Sequence, residues 1–199
     1  MTRLCVSLPV VLWLALAGCA HVTYVPATRA LVDQPAWKTL SAQHRVTVRV
    51  QRLGGTDTRS LRGLVAVQRP DRFRLRALGP AGLTLFDLLV RGGVPKVVSA
   101  IRRPEQGVSG KALDEVIHSL AADLACAYFL TPAPDGRTVA QRADTVEVRE
   151  PGRTVVLSRF AGTPATWRRA EIDTPKYHVT VEVDEATPDA ALDPAMFDD

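Results

Sequence analysis

The sequence predicts a mainly β protein of the α+β class, in which an antiparallel sheet is covered by one amphipathic helix. Two patterns support this. Apolar and polar residues alternate through segments that start about ten residues apart, with Gly- and Pro-containing turns between them, which is typical of a meandering antiparallel sheet or barrel. One stretch in the middle of the chain instead repeats apolar residues at intervals of three and four, which indicates a single helix.

The N-terminal segment, residues 1–18, reads as a lipoprotein signal peptide. Arg3 precedes an apolar run that ends in Leu16-Ala17-Gly18-Cys19, the pattern of a bacterial lipobox. In such a motif the Cys19 thiol accepts a diacylglycerol and the chain is cleaved before it. A transmembrane helix is the weaker alternative, since the run is shorter than the ~20 residues that cross a bilayer. An ordinary signal peptide that contains Cys by chance is the other alternative.

Residues 19–34 lack periodicity, so we predict a lipidated N-terminus followed by a flexible tether. Pro35-Ala36-Trp37 then suggests a short helix over 34–40, with Pro near its first position. The remaining chain, 35–199, has the length of one ordinary domain with a sizeable core.

The first group of strands follows this segment. Phe73, Leu75 and Ala77 are expected on the inner face of one strand, with arginines on the other face. The segment 83–90 is apolar on both faces, which predicts a central position or a cavity wall. The predicted strands of this group span 45–52, 60–68, 73–78, 83–90 and 95–101.

The helix is predicted over about 111–128, with Ser109 as its cap. Its apolar stripe consists of Leu113, Val116, Ile117, Leu120 and Leu124. After the helix, period-two segments return, and the apolar tail 192–197 is expected to plug the fold. The predicted strands of this second group span 145–149, 154–160, 166–172 and 177–183.

Composition and motifs give no sign of catalysis. The net charge of +4 is too small to indicate nucleic-acid binding, and Cys126 is the single cysteine beyond Cys19. The four histidines are scattered, without the spacing of metal ligands, and there is no Gly-x-Ser-x-Gly elbow. We therefore expect no enzyme, no cofactor and no metal. A run of arginines is read as a solvated sheet face, or else as a patch for anionic lipid or a partner: Arg62, Arg69, Arg72, Arg74 and Arg76.

With the strands placed, the segment 71–86 resembles the central hairpin of the LolB family. That family has an aromatic-Arg-Leu strand, a Pro-x-Gly loop and a second apolar strand, which here are Phe73-Arg74-Leu75, Pro80-Ala81-Gly82 and 83–86. Pro35-Ala36-Trp37 resembles the start of the family's first helix. The order of lipobox, tether, strands, helix and C-terminal Pro-Ala-Met-Phe also agrees.

The resemblance implies an unclosed antiparallel half-barrel over 35–199, of the LolA/LolB type, whose concave face holds acyl chains. It also implies that the protein accepts or carries lipoproteins or lipids bound for the outer membrane. A periplasmic LolA-like carrier is an expected partner. The acyl-chain cavity that the resemblance implies has Val65, Phe73, Leu75 and Leu85 as walls, with Leu113, Val116, Ile117, Leu120 and Leu124 as the covering face. The alternative is a filled core in a structural or adaptor lipoprotein.

The resemblance also implies a membrane-insertion loop, formed by Pro80, Ala81, Gly82 and Leu83. In LolB a protruding leucine stands between the Pro and the Gly of this loop, whereas this chain has Ala81, so insertion activity is in doubt. Leu83, directly after Gly82, either takes the place of that leucine or merely starts the next strand. Since Ala20-His21 lacks an acidic residue after Cys19, we expect a lipid anchor in the outer membrane, with the protein facing the periplasm. We also expect a monomer.

Overall fold

The computed structural model describes residues 24–27, 35–52, 55–79, 82–100, 110–129 and 138–198. Its elements are β1 (Tyr24–Val25), β2 (Thr39–Arg52), β3 (Gly55–Gln68), β4 (Arg72–Leu78), β5 (Thr84–Arg91), β6 (Val94–Ala100), α1 (Gly110–Tyr128), β7 (Thr138–Gln141), β8 (Thr145–Glu150), β9 (Arg153–Ser158), β10 (Phe160–Ala161), β11 (Arg169–Asp173), β12 (Tyr177–Pro188) and a 3-10 helix (Pro194–Phe197).

Ten of these strands form one antiparallel sheet in the order β6-β5-β4-β3-β2-β12-β11-β9-β8-β7. Most neighbours in the sheet follow each other in sequence, so each half of the chain is a meander. The halves meet where β2 pairs with β12. In the part of the chain that the structure describes, β6 and β7 are unpaired edges, and the sheet is therefore open. The predicted antiparallel half-barrel is confirmed.

Alternation along each strand decides which side chains face inward. In β12, Tyr177, Val179 and Val181 are buried while the residues between them are half-buried. In β4, Phe73, Leu75 and Ala77 point inward as predicted. Because the side chains of a strand alternate between faces, these rows together form one apolar inner face across the sheet.

The main core lies between this inner face and the C-terminal half of α1. Leu124 is 0% exposed and Leu120 6% exposed, and both pack in the same apolar cluster as the inward residues of the strands. Burial of such side chains contributes roughly 1.5 to 3 kcal/mol each. Within the described ranges, no helix has the length and hydropathy needed to span a bilayer.

A second, smaller core covers the outer face of β5. Phe197 of the 3-10 helix packs there on Ala66 and Leu89, so the predicted C-terminal plug is confirmed. The same contact explains why β5 is apolar on both faces. The predicted central position of this strand is wrong, since β5 lies next to the edge strand β6.

Residues 35–40 are not the predicted short helix. Thr39 and Leu40 already belong to β2, because Leu40 and Ala42 continue the apolar alternation and pair with Val67 and Val65 of β3. Trp37 is nevertheless buried, as its apolar character suggests.

The predicted tether is partly folded. Tyr24 and Val25 form β1, which pairs with β10, and Ala27 is buried in the main core. Two-residue strands give no alternation that a sequence pattern can reveal, which is why β1 and β10 escaped prediction. The signal peptide 1–18 and the lipidation residue Cys19 lie outside the described residues.

Candidate functional site

The structure brings five of the predicted cavity residues together in the interior. Val65, Phe73 and Leu75 lie on the inner face of β3 and β4, and Leu120 and Leu124 cover that face from α1. All five are buried, with at most 6% exposure. They form a packed apolar cluster, and their role in ligand binding stays a prediction.

The other predicted site residues lie away from this interior cluster or outside the described residues. Leu85 is only half-buried and packs beside Gly79 at the turn between β4 and β5. Leu83 is 59% exposed at this turn, directly after Gly82, whose φ of 74° suits glycine. Pro80 and Ala81, and the side chains of Leu113, Val116 and Ile117, lie outside the described residues.

An aromatic cluster surrounds the C-terminal end of α1. Tyr128 stacks on His44 with ring centroids 5.7 Å apart and lies 4.7 Å from Trp167. The indole Nε1 of Trp167 donates a hydrogen bond of 3.2 Å to the carbonyl of Ala127. Aromatic pairs at these distances add about 0.5 to 1.5 kcal/mol beyond their buried area. This end of the helix is therefore fixed on the sheet.

His44 is the buried polar group of this cluster. Its side chain lies on the inner face of β2, its Nε2 is hydrogen-bonded to the Tyr128 hydroxyl, and no described residue bonds its Nδ1. Burial lowers the pKa of His44 to about 3 and raises the pKa of Tyr128. Both groups are therefore neutral near pH 7. The inward position of His44 follows from its place in the valine alternation of β2.

Arg69 secures the same helix end from the turn between β3 and β4. Its guanidinium lies 5.2 Å from the ring centroid of Trp37, and its Nη1 donates to the Tyr128 carbonyl at 3.2 Å. A cation at a helix C-terminus is favoured by the helix dipole, and the aromatic face adds a cation–π attraction. Burial lowers the pKa of Arg69 from its ordinary value.

Closer to the middle of α1, a polar cluster ties the helix to β9 and β12. We call Ser119, Asp123, Arg153 and Tyr177 the latch cluster. Arg153 Nη1 donates to Asp123 Oδ1 at 2.6 Å, and the Tyr177 hydroxyl donates to Asp123 Oδ2. The Ser119 hydroxyl lies 2.7 Å from the Tyr177 oxygen. Burial, followed by the hydrogen bond to Asp123, raises the pKa of Tyr177.

The described residues line three solvent-connected volumes. One of about 400 Å³ lies at the rim beside the latch cluster, and another of about 610 Å³ is lined by Arg49, Lys176 and His178. A third, of about 580 Å³, lies at the turn between β4 and β5, beside Arg62 and Leu85. The five buried residues of the predicted cavity line none of these three volumes, whereas Leu85 lines the third.

The outer face does not present the arginine run as one basic patch. Arg74 binds Asp87 through two hydrogen bonds of 2.9 Å, and Arg76 reaches the same carboxylate at 3.3 Å. Arg74 also donates to the Met196 carbonyl, beneath the 3-10 helix. The hydrogen bond to Asp87 raises the pKa of Arg74. Arg74 thus links the sheet to the C-terminal segment, and Arg76 shares its partner Asp87.

Among the described residues, no group of three or more His, Cys, Asp and Glu side chains is arranged to hold a metal ion. The expectation that the protein needs no metal stays a prediction.

The fold and interior define a class of protein, an open antiparallel half-barrel whose apolar inner face is covered by one helix. No protein-family description matches the sequence, and no curated protein matches it. Solved structures with a similar fold exist, at low sequence identity.

A LolA superfamily protein from Nitrosomonas europaea has a TM-score of 0.48 and 11% identity, with 85% of this chain and 93% of that chain covered. A putative outer membrane lipoprotein-sorting protein domain from Vibrio parahaemolyticus has a TM-score of 0.42 and 9% identity, with the same coverage of 85% and 93%. A DUF1329 family protein from Desulfovibrio piger has a TM-score of 0.41 and 11% identity, with 82% and 90% covered. With TM-scores below 0.5, these similarities carry no inference about function.

Proposed function

We propose that the protein is a lipid-anchored envelope lipoprotein, held by a lipidated Cys19, whose half-barrel binds acyl chains. It acts as an acceptor or carrier in the localisation of lipoproteins or lipids to the outer membrane, on the side that faces the periplasm. The observation that carries this proposal is the continuous apolar inner face of the sheet, covered by a single helix. The sequence resemblance of 71–86 to the LolB hairpin supports the same role.

Acyl chains enter, in this proposal, by displacing α1 rather than by filling an empty space. Leu120 and Leu124 of the helix are buried against the sheet, so their contacts must be exchanged for contacts with the ligand. A buried acyl chain contributes about 0.8 kcal/mol per CH2, so a chain of about 16 carbons supplies on the order of 10 kcal/mol. The burial of two leucines such as Leu120 and Leu124 is worth roughly 3 to 6 kcal/mol in total. Displacement of α1 also breaks the latch cluster and the aromatic contacts of Tyr128, so opening of the helix limits the rate of uptake in this proposal.

A structural or adaptor lipoprotein is the second candidate, and one observation favours it. Leu120, Leu124 and Tyr128 are at most 6% exposed against the sheet, as expected for a permanently filled core. In that case the helix never leaves the sheet, and the protein serves an envelope complex through its outer surface.

Acyl-probe binding separates the two candidates. We would follow uptake of a fluorescent fatty acid by the purified lipidated protein and by Tyr177→Phe, which removes the hydroxyl at the centre of the latch cluster. Faster uptake by this variant is expected if α1 must open. Tyr24→Phe, at a residue that is 53% exposed, is the matched control and should behave like the wild type. Lack of probe binding by both wild type and Tyr177→Phe favours the adaptor.

Cellular localisation provides the functional test. Depletion of the protein should shift other lipoproteins away from the outer-membrane fraction, and the purified protein should take a lipoprotein from a periplasmic carrier. If neither occurs, the acceptor proposal fails. For the anchor itself, Cys19→Ala should leave a full-length precursor that radioactive palmitate does not label. Labelling of that variant would refute the lipobox assignment.

A further inference from the structure

We propose that the corner formed by β1 and β10 is the face that rests on the membrane to which the protein is anchored. We call Tyr24, Val25, Arg159 and the paired Phe160–Ala161 the β1–β10 corner. This inference rests on the proposed lipidation of Cys19, and it adds an orientation that the anchor alone does not define.

The first step is that β1 is a fixed part of the domain. Tyr24 pairs with Ala161 and Val25 with Phe160. Phe160 and Ala161 are 1% and 2% exposed, and Ala27, two residues after β1, is 1% exposed in the main core. A segment that is paired and followed by a core residue does not act as a free tether.

The second step is the length of chain that remains. Five residues lead from Cys19 to Tyr24, and a fully extended chain of that length spans at most about 17 Å, whatever its conformation. A tether over 19–34 would span up to about 50 Å. The long strand β2, with 14 residues, is by the same measure about 46 Å long. The corner is therefore confined near the bilayer, whereas other parts of the sheet are not.

The third step is the chemistry of the corner. Tyr24 is 53% exposed and Val25 is 37% exposed, so β1 exposes an aromatic side chain and, on its other face, an aliphatic one. Tyrosine is favoured at the membrane interface, where its ring lies among apolar groups and its hydroxyl stays hydrated. Arg159 is exposed next to β10, and a cation near an anionic lipid surface gains about 1 kcal/mol. These side chains fit the head-group region of an anionic bilayer.

The topology sets this corner apart from the loop that the LolB resemblance assigns to membrane insertion. In an antiparallel sheet the β4–β5 turn lies at the same end as the β2–β3 and β11–β12 turns, while β10 follows β9 at the opposite end. Four strands, β3, β2, β12 and β11, separate β4 from β9. Contact of the anchoring membrane with Leu83 at the β4–β5 turn and contact with Tyr24 at the β1–β10 corner are therefore competing hypotheses.

Tryptophan fluorescence decides between them. The full lipidated protein is reconstituted in vesicles of phosphatidylethanolamine and phosphatidylglycerol whose acyl chains carry bromine, a quencher that acts at short range. Tyr24→Trp, Leu83→Trp and Val94→Trp each place one probe at an exposed site. Trp37 and Trp167 are buried, so the wild type supplies a constant background.

We expect quenching of the added emission in Tyr24→Trp, with that of Leu83→Trp and Val94→Trp retained. The inference is overturned if the added emission is quenched in Leu83→Trp but not in Tyr24→Trp, or if it is quenched equally at all three sites. Adding Arg159→Glu to Tyr24→Trp should weaken the quenching, whereas adding Lys176→Glu, at the exposed β11–β12 turn, should not.

Mass spectrometry of the same samples separates this inference from the proposed function. If Cys19 carries no lipid, the anchor proposal fails, and the orientation fails with it. If Cys19 is lipidated and Tyr24→Trp is still unquenched, only the orientation is wrong.

Discussion

Replacing His44 by glutamine should remove most of the pH dependence of stability between pH 7 and pH 5. The imidazole is buried, and burial lowers its pKa from 6.5 to about 3. The unfolded chain binds a proton near pH 6.5, while the folded chain stays neutral, so the unfolded state holds more protons below that pH. Stability from this residue is therefore fully present above pH 6.5 and is lost as the pH falls toward 3.

The size of the effect follows from the two pKa values. Between them, the free energy of unfolding changes by about 1.4 kcal/mol per pH unit. From pH 7 to pH 5 the wild type should thus lose about 2 kcal/mol through His44 alone, and about 3 kcal/mol by pH 4. Glutamine retains a polar group that can meet the Tyr128 hydroxyl but does not titrate.

Urea unfolding of both proteins at pH 7, 6 and 5 measures this loss directly. The buried carboxylates Asp87, Asp123 and Glu147 are present in both, so their titration cancels in the comparison. A wild type that loses no more stability than His44→Gln over this range would refute the burial of a neutral His44.

Three further substitutions test the packing by chemical or thermal unfolding. Leu124→Ala should cost about 3 to 5 kcal/mol because it leaves a cavity under the helix, whereas Leu83→Ala should stay within about 0.5 kcal/mol; equal losses would contradict the described interior. Arg74→Ala should cost about 3 kcal/mol because it leaves a buried carboxylate with less than its native pairing, while the exposed Arg59→Ala should cost under about 1 kcal/mol. Phe197→Ala should lower the free energy of unfolding by about 3 to 5 kcal/mol, and an unchanged stability would mean that Phe197 does not pack on the sheet.

Period-two patterning predicted β4 and the first part of β12, which each have one buried face, but it missed the first residues of β2 and β3. The segment 73–78 became β4 with its predicted inward residues, and 177–183 became the first part of β12. The helix, predicted over 111–128, begins one residue earlier. In each case the alternation or the three-four repeat is long enough to override local ambiguity.

The predictions that failed concern features that depend on contacts between segments far apart in the sequence. Pro35-Ala36-Trp37 has the local form of a helix start, but the pairing of Leu40 with β3 draws the chain into β2. Likewise, β5 is apolar on both faces because Phe197 returns to cover it, which local sequence cannot reveal. The latch cluster was missed for the same reason: Asp123 and Arg153 are 30 residues apart in sequence.

The pairing of β2 with β12 has a consequence for how the chain folds. Across this ladder Arg45 and Asp184 form an ion pair although they are 139 residues apart in sequence. A polypeptide is made from its N-terminus, so the first long strand waits for a partner that is nearly the last to be synthesised. Contacts of such high sequence separation slow folding and leave strand edges exposed in the meantime. One edge of β2 therefore stays unpaired until almost all of the chain is available for folding, and the central sheet is completed only then.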